Sequence, residues 1–116
     1  MPHCIIEHSS SIDSNALISL VFSASLESLL FEKDGSDIKV RALPFTQYQT
    51  GVLQSGADQL DFIHVTLKIL SGRNTEQKKM LSNVVLSSLE TLALKSCSIS
   101  VEVVDIDRTT YAKVVT

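Results

Sequence analysis

The residues best equipped for chemistry are few and scattered. They are Pro2 at the head of the chain, Lys39 and Arg41 two positions apart, Arg73 behind a glycine, and the histidines His3, His8 and His64. Pro2 stands out because a small residue after an initiator methionine allows removal of Met1, leaving a secondary amine at the new terminus. An unperturbed α-amino group titrates near ~7.7–8.0. Burial and nearby cations disfavour the protonated form, so both push such an amine towards working pH. A base poised there can take a hydroxyl proton and return it at carbon on the same substrate. The rigid ring also restricts where the nitrogen points. Equally, proline can stand second with no chemical duty, and the rest of the chain must decide.

Arg73 lies in Ser71-Gly72-Arg73-Asn74, between an expected strand and an expected helix. Gly72 permits a tight turn, and the helix N-terminus beyond it offers free N–H groups and positive potential. That setting suits a carboxylate, which a guanidinium grips through two parallel hydrogen bonds. On its own, a loop arginine more often pairs with an acid or faces water. Lys39 and Arg41 share one strand face and could hold the far end of a dianionic substrate, or pair with Glu102 or Glu7 inside an oligomer. Were Lys39 the contact, two-pronged binding would be lost.

The histidines read differently. His64 sits mid-strand between apolar neighbours, as a hydrogen-bonding structural residue. His3 and His8 flank the first strand without the spacing of a catalytic triad, and no third ligand at metal-binding spacing accompanies them. No metal site is expected. Cys4 and Cys97 lie at opposite ends of the chain and read as buried, reduced thiols. Ser9-Ser10-Ser11 is a loop and cap signal rather than a nucleophile motif.

Two helices and four strands must position these groups. Residues 13–31 carry a helical period, with Leu17, Leu20, Val21, Ala24 and Phe31 on one stripe and Ile18, Phe22, Leu26 and Leu29 on a second. Residues 75–94 carry another, with Asn74 as N-cap, Gln77 at capping-box spacing, and Leu81, Val84, Val85 and Leu92 buried. Strands are expected at 2–8, 37–45, 61–70 and 98–105. In the third, Ile63, Val65, Leu67 and Ile69 alternate with His64, Thr66 and Lys68; in the fourth, Ile99, Val101 and Val103 alternate with Ser98, Ser100 and Glu102. The order β-α-β, loop, β-α-β is a tandem repeat of architecture. Right-handed crossovers lay both helices on one face of a four-stranded sheet. The expected class is α/β, an α+β two-layer sandwich, of ferredoxin-like type on this reading. The other sheet face mixes His64, Lys68, Lys39, Arg41, Ser100 and Glu102 with Leu43 and Ile5. It could be one wet face of a monomer or the lumen of an oligomer. The tail from Thr109 to Thr116 alternates enough for a short strand docked on a neighbour.

Composition narrows the classes. The 116 residues suffice for one core, with 44% hydrophobic and 20% charged residues. Four Phe, two Tyr and no Trp leave an aliphatic core. A formal charge of −3 and the lack of a basic stripe with interleaved aromatics exclude a generic nucleic-acid binder. Neither a secretory leader nor the ~18 apolar residues of a membrane span is visible, so a cytoplasmic protein away from membranes is expected.

Assembled, the start Met-Pro-His-Cys-Ile-Ile-Glu, the segment Asp37-Ile-Lys-Val-Arg-Ala42, the block Phe62-Ile-His-Val-Thr-Leu-Lys-Ile-Leu-Ser-Gly-Arg73 and Ser100-Val-Glu-Val resemble the 5-carboxymethyl-2-hydroxymuconate isomerase family of the tautomerase superfamily. The resemblance implies one tautomerase-like domain over 1–116, of the MIF-like kind. It implies a homotrimer around a central channel, with active sites near subunit boundaries and Pro2 as acid–base catalyst. Arg73, and either Arg41 or Lys39, would bind the substrate. That substrate would be a small anionic enol or keto acid with two or three carboxylates, from aromatic-acid breakdown, isomerised without cofactor. Two other functions compete: a non-catalytic trimeric binding or scaffold protein, and a proline-dependent tautomerase for a different enolic acid.

Overall fold

The computed structural model describes residues 1–53 and 59–116. Its elements run β1 (Pro2–Ser9), α1 (Ser14–Glu27), β2 (Lys39–Phe45), β3 (Asp61–Leu70), α2 (Thr75–Glu90) and β4 (Cys97–Ile106). They form one four-stranded sheet in the order β2-β1-β3-β4, with β1/β2 and β3/β4 parallel and β1/β3 antiparallel. The tandem β-α-β repeat is therefore real. The ferredoxin-like label is not: within each half the two strands are direct neighbours, with no strand inserted between them, so the halves meet along β1/β3.

Both helices start where their caps dictate. The Asp13 carboxylate accepts from the Asn15 N–H at 3.1 Å, and Asn74 and Gln77 form the full reciprocal capping box at 2.8 and 3.0 Å. Both stop about a turn short of the sequence expectation. At the end of α1 the Ser28 hydroxyl donates to the Ser25 carbonyl at 2.6 Å, and Leu29 takes φ +63°. At the end of α2 the Thr91 hydroxyl donates to the Ser88 carbonyl and Ala93 takes φ +51°. Local hydroxyl bonds and a left-handed residue outcompete a further helical turn in each case. Consequently Leu29 lies 84% exposed instead of on the second stripe, and Phe31 belongs to the loop beyond the helix.

The core is aliphatic, as composition requires. Ile6 of β1, Leu17 and Val21 of α1, Ile63, Val65, Leu67 and Ile69 of β3, and Leu81, Val85 and Leu89 of α2 are wholly buried. They lie between the sheet and the two helices, and Leu89 joins them where Leu92 had been expected; Val84 and Leu92 pack only at the edge. The opposite sheet face presents Lys39, Arg41, Leu43, His64, Lys68, Ser100 and Glu102, as expected from the alternation. After β4 the chain forms a turn fastened by Asp107, whose carboxylate accepts from the Thr109 N–H and hydroxyl at 3.1 and 2.8 Å. The tail is no strand. It folds back so that the Tyr111 hydroxyl meets His3 Nε2 at 2.9 Å, on this chain's own first strand. Among the described residues no helix is long and apolar enough to cross a membrane.

Candidate active site

Three connections converge at the sheet end where β1 begins and β3 and β4 finish. They are the segment leaving α1, the Ser71–Asn74 turn, and the Asp107 turn. Between them lies a cleft of about 400 Å³ whose walls include Met1, Phe31, Glu32, Lys33, Asp37, Arg73 and Arg108. The antiparallel register explains why the chain's start arrives here: Pro2 pairs with Ile69, at the last turn of β3 before Gly72 and Arg73.

Pro2 is buried, and Met1 reaches into the cleft, where its ammonium ion-pairs with Asp37. Burial opposes ionisation of Asp37. That ammonium and the Glu32 N–H at 3.2 Å outweigh it, and the carboxyl is held below the usual carboxylate range.

Arg73 is fixed by contacts on two sides. Its Nη2 donates to the Leu30 carbonyl at 2.6 Å, and its guanidinium stacks over the Phe31 ring at 5.6 Å. The main chain before it can turn because Gly72 sits at φ +126°, a conformation that disfavours any side chain. Arg108 shares the cleft, its Nε donating to the Ser71 carbonyl at 3.0 Å. Among the described residues neither arginine has a carboxylate partner.

Pro2 and Arg73 are thus brought to the same end of the sheet. Lys39 and Arg41 are not: both project from the open sheet face, away from this cleft in a single chain. Arg41 Nη1 approaches His3 Nδ1 at 3.3 Å. Burial, then the charges of Arg41 and Lys39, push the His3 imidazole below its ordinary value of 6.5. With Nδ1 accepting from Arg41, His3 Nε2–H donates to Tyr111. His64 hydrogen-bonds Ser100 at 2.7 Å and Glu102 at 2.5 Å across β3/β4, and buried His8 spends both ring nitrogens on Ser9 and Ser14. Cys4 is buried and Cys97 half-buried, both unpaired thiols. Among the described residues no group of three or more His, Cys, Asp or Glu is gathered as for a metal ion.

Sequence reasoning missed Asp37 and Arg108. Asp37 reads as the first residue of a strand, and Arg108 lies beyond the last strand in an unremarkable polar tail. Only the β3/β4 pairing, which sets Ile106 beside Leu70, brings the residue two positions further on to the Ser71 turn.

A model of the 5-carboxymethyl-2-hydroxymuconate isomerase family matches residues 2–114, from Pro2 through both turns of the cleft. The chain belongs to that family. It is accordingly an isomerase of the tautomerase superfamily. Solved structures share the fold at low identity. A 5-carboxymethyl-2-hydroxymuconate delta-isomerase aligns with TM-score 0.74 and 16% identity, covering 98% of this chain and 88% of that one. A 5-carboxymethyl-2-hydroxymuconate isomerase from Deinococcus radiodurans R1 aligns with TM-score 0.73 and 22% identity over 97% and 87%. A fused 4-OT wild-type symmetric trimer aligns with TM-score 0.69 and 16% identity over 90% and 87%. No curated protein matches the chain by sequence.

Proposed function

We propose that this chain, acting as one domain over 1–116, isomerises a small unsaturated 2-hydroxy or 2-keto acid bearing two or three carboxylates. The acid–base group is the Pro2 amine, freed by removal of Met1. The observation that carries the reading is that Met1, whose removal exposes the Pro2 amine, lines one cleft with Arg73 while Pro2 pairs with Ile69 just before the Arg73 turn, in a chain of this isomerase family. A proton moved along a conjugated enol needs only one group to take it from oxygen and deliver it at carbon, so no cofactor enters the scheme. The cleft lining carries the cations Lys33, Arg73 and Arg108 beside the acids Glu32 and Asp37. Arg73 holds a substrate carboxylate, its orientation preset by Leu30 and Phe31.

The reading includes a homotrimer, supported by the open, mixed sheet face and by the fold shared with a fused symmetric trimer. In such an assembly Arg41 or Lys39 reaches the substrate from a neighbouring chain, which accounts for their position outside this chain's own cleft. The test is a dienol isomerisation followed by ultraviolet absorbance, alongside intact-mass analysis. Loss of Met1 and a fall in kcat of about 10²–10⁴ for Pro2→Ala are expected. Full activity with Met1 still attached overturns the proposal.

A further inference from the structure

The turn Ser71–Arg73 orients two arginines, one by sequence and one by contact. Ser71 is itself pinned to the end of β4, its N–H donating to the Ile106 carbonyl at 2.9 Å. Its side chain and carbonyl then receive the Arg108 N–H at 3.3 Å and Nε–H at 3.0 Å. Gly72 lies beside the guanidinium: a Cβ there would be in ordinary van der Waals contact with Arg108 Nη2 at 3.6 Å. Asp107, one residue earlier, fastens the turn that carries Arg108.

Each guanidinium has five N–H donors in a rigid fork. Arg108 commits its Nε–H to Ser71 and Arg73 commits one Nη2–H to Leu30, leaving the outer edges of both forks unassigned. Neither meets a carboxylate among the described residues, although Glu32 and Asp37 line the same cleft. Asp37 accepts from the Glu32 N–H at 3.2 Å, a contact that does not depend on Met1. Two like charges sharing one small cleft repel each other, and an anion with a carboxylate at each end relieves both. A volume of about 400 Å³ is on the scale of a small-molecule site.

We infer that Arg108 is a second carboxylate anchor of this cleft, acting with Arg73 of the same chain to select acids with two carboxylates over acids with one. For the reaction it serves, this rests on the isomerase reading above; the anion selectivity can be measured without it. Arg108 thereby sets specificity from within the chain, independently of any contribution by Arg41 or Lys39 from the open sheet face.

The experiment measures calorimetric binding of adipate and of hexanoate at low salt to the native protein, Arg108→Gln and Arg108→Glu. Melting curves accompany them to show that each variant remains folded. The native protein should prefer adipate. Arg108→Gln should lose about tenfold or more in adipate affinity, and Arg108→Glu more still, while hexanoate binding changes less than about threefold in Arg108→Gln. Equal losses for both acids, unchanged adipate binding in either variant, or no preference for adipate in the native protein overturns the assignment. Parallel dienol kinetics separate the two proposals. Selective loss of adipate binding without turnover in the native protein defeats the isomerase reading alone. Intact turnover with no adipate preference defeats only the second anchor.

Discussion

Arg73 and His3 show how a single side chain's environment sets its expected behaviour. The Arg73 guanidinium is held by a carbonyl and an aromatic face, which fixes the direction of its free edge, the edge proposed to meet a carboxylate. Arg73→Ala should lower kcat/KM for an enol acid by about 10- to 100-fold, chiefly through KM, the cost of one charge-assisted pair. Steady-state kinetics at fixed pH check this; an unchanged KM removes the carboxylate role. His3 gives a pH prediction. Its folded imidazole resists protonation while the unfolded one accepts a proton near 6.5, so below that value the unfolded state binds more protons. Stability contributed by neutral His3 is present above pH 6.5 and is lost as pH falls towards the depressed folded value. Denaturant titrations should show His3→Gln with a shallower loss of stability over that interval than the native protein. At this scale the sequence was partly legible. Pro2 and Arg73 announce themselves by residue type and neighbours, whereas Asp37 and Arg108 carry no local signal, because their roles arise from groups 36 and 37 positions away.

The elements that carry these residues are governed by their ends. Asn74 closes the capping box of α2 directly after Arg73, so the same residue starts the helix and limits the turn. Asn74→Ala should cost about 1 kcal/mol in equilibrium unfolding. Gly72→Ala places a side chain at φ +126° and should cost about 1–3 kcal/mol, with weakened binding of anions at both arginines. Chemical denaturation and ligand titration measure the two effects on one sample. Helix starts could be read from the sequence because Asp13, Asn74 and Gln77 are local signals. Helix ends could not. The apolar periodicity runs on through Leu29 and Leu92, while Ser28 and Thr91 stop the helices by hydroxyl bonds to Ser25 and Ser88 that hydrophobic pattern does not register.

The whole molecule is a sheet with one dry face and one mixed face, and each has a consequence. Leu81 of α2 is wholly buried against the sheet, so Leu81→Ala should destabilise the fold by about 2–5 kcal/mol in equilibrium unfolding. For the mixed face, native mass spectrometry should give a species of three chains; a monomer at micromolar concentration removes the proposed contribution of Arg41 or Lys39 across a boundary. By itself the sequence determined the tandem β-α-β order, the aliphatic core and the two sheet faces. These depend on periodicities of 3.6 and 2 residues, which are local properties of the chain. It also supplied the residues Pro2 and Arg73. Tertiary structure alone decided that the halves join along β1/β3, that the tail returns to His3, and that Asp37 and Arg108 enter the cleft. Strand order and register are settled by pairing between distant segments, which no local pattern encodes. Only that pairing brings the start of β1 together with the ends of β3 and β4.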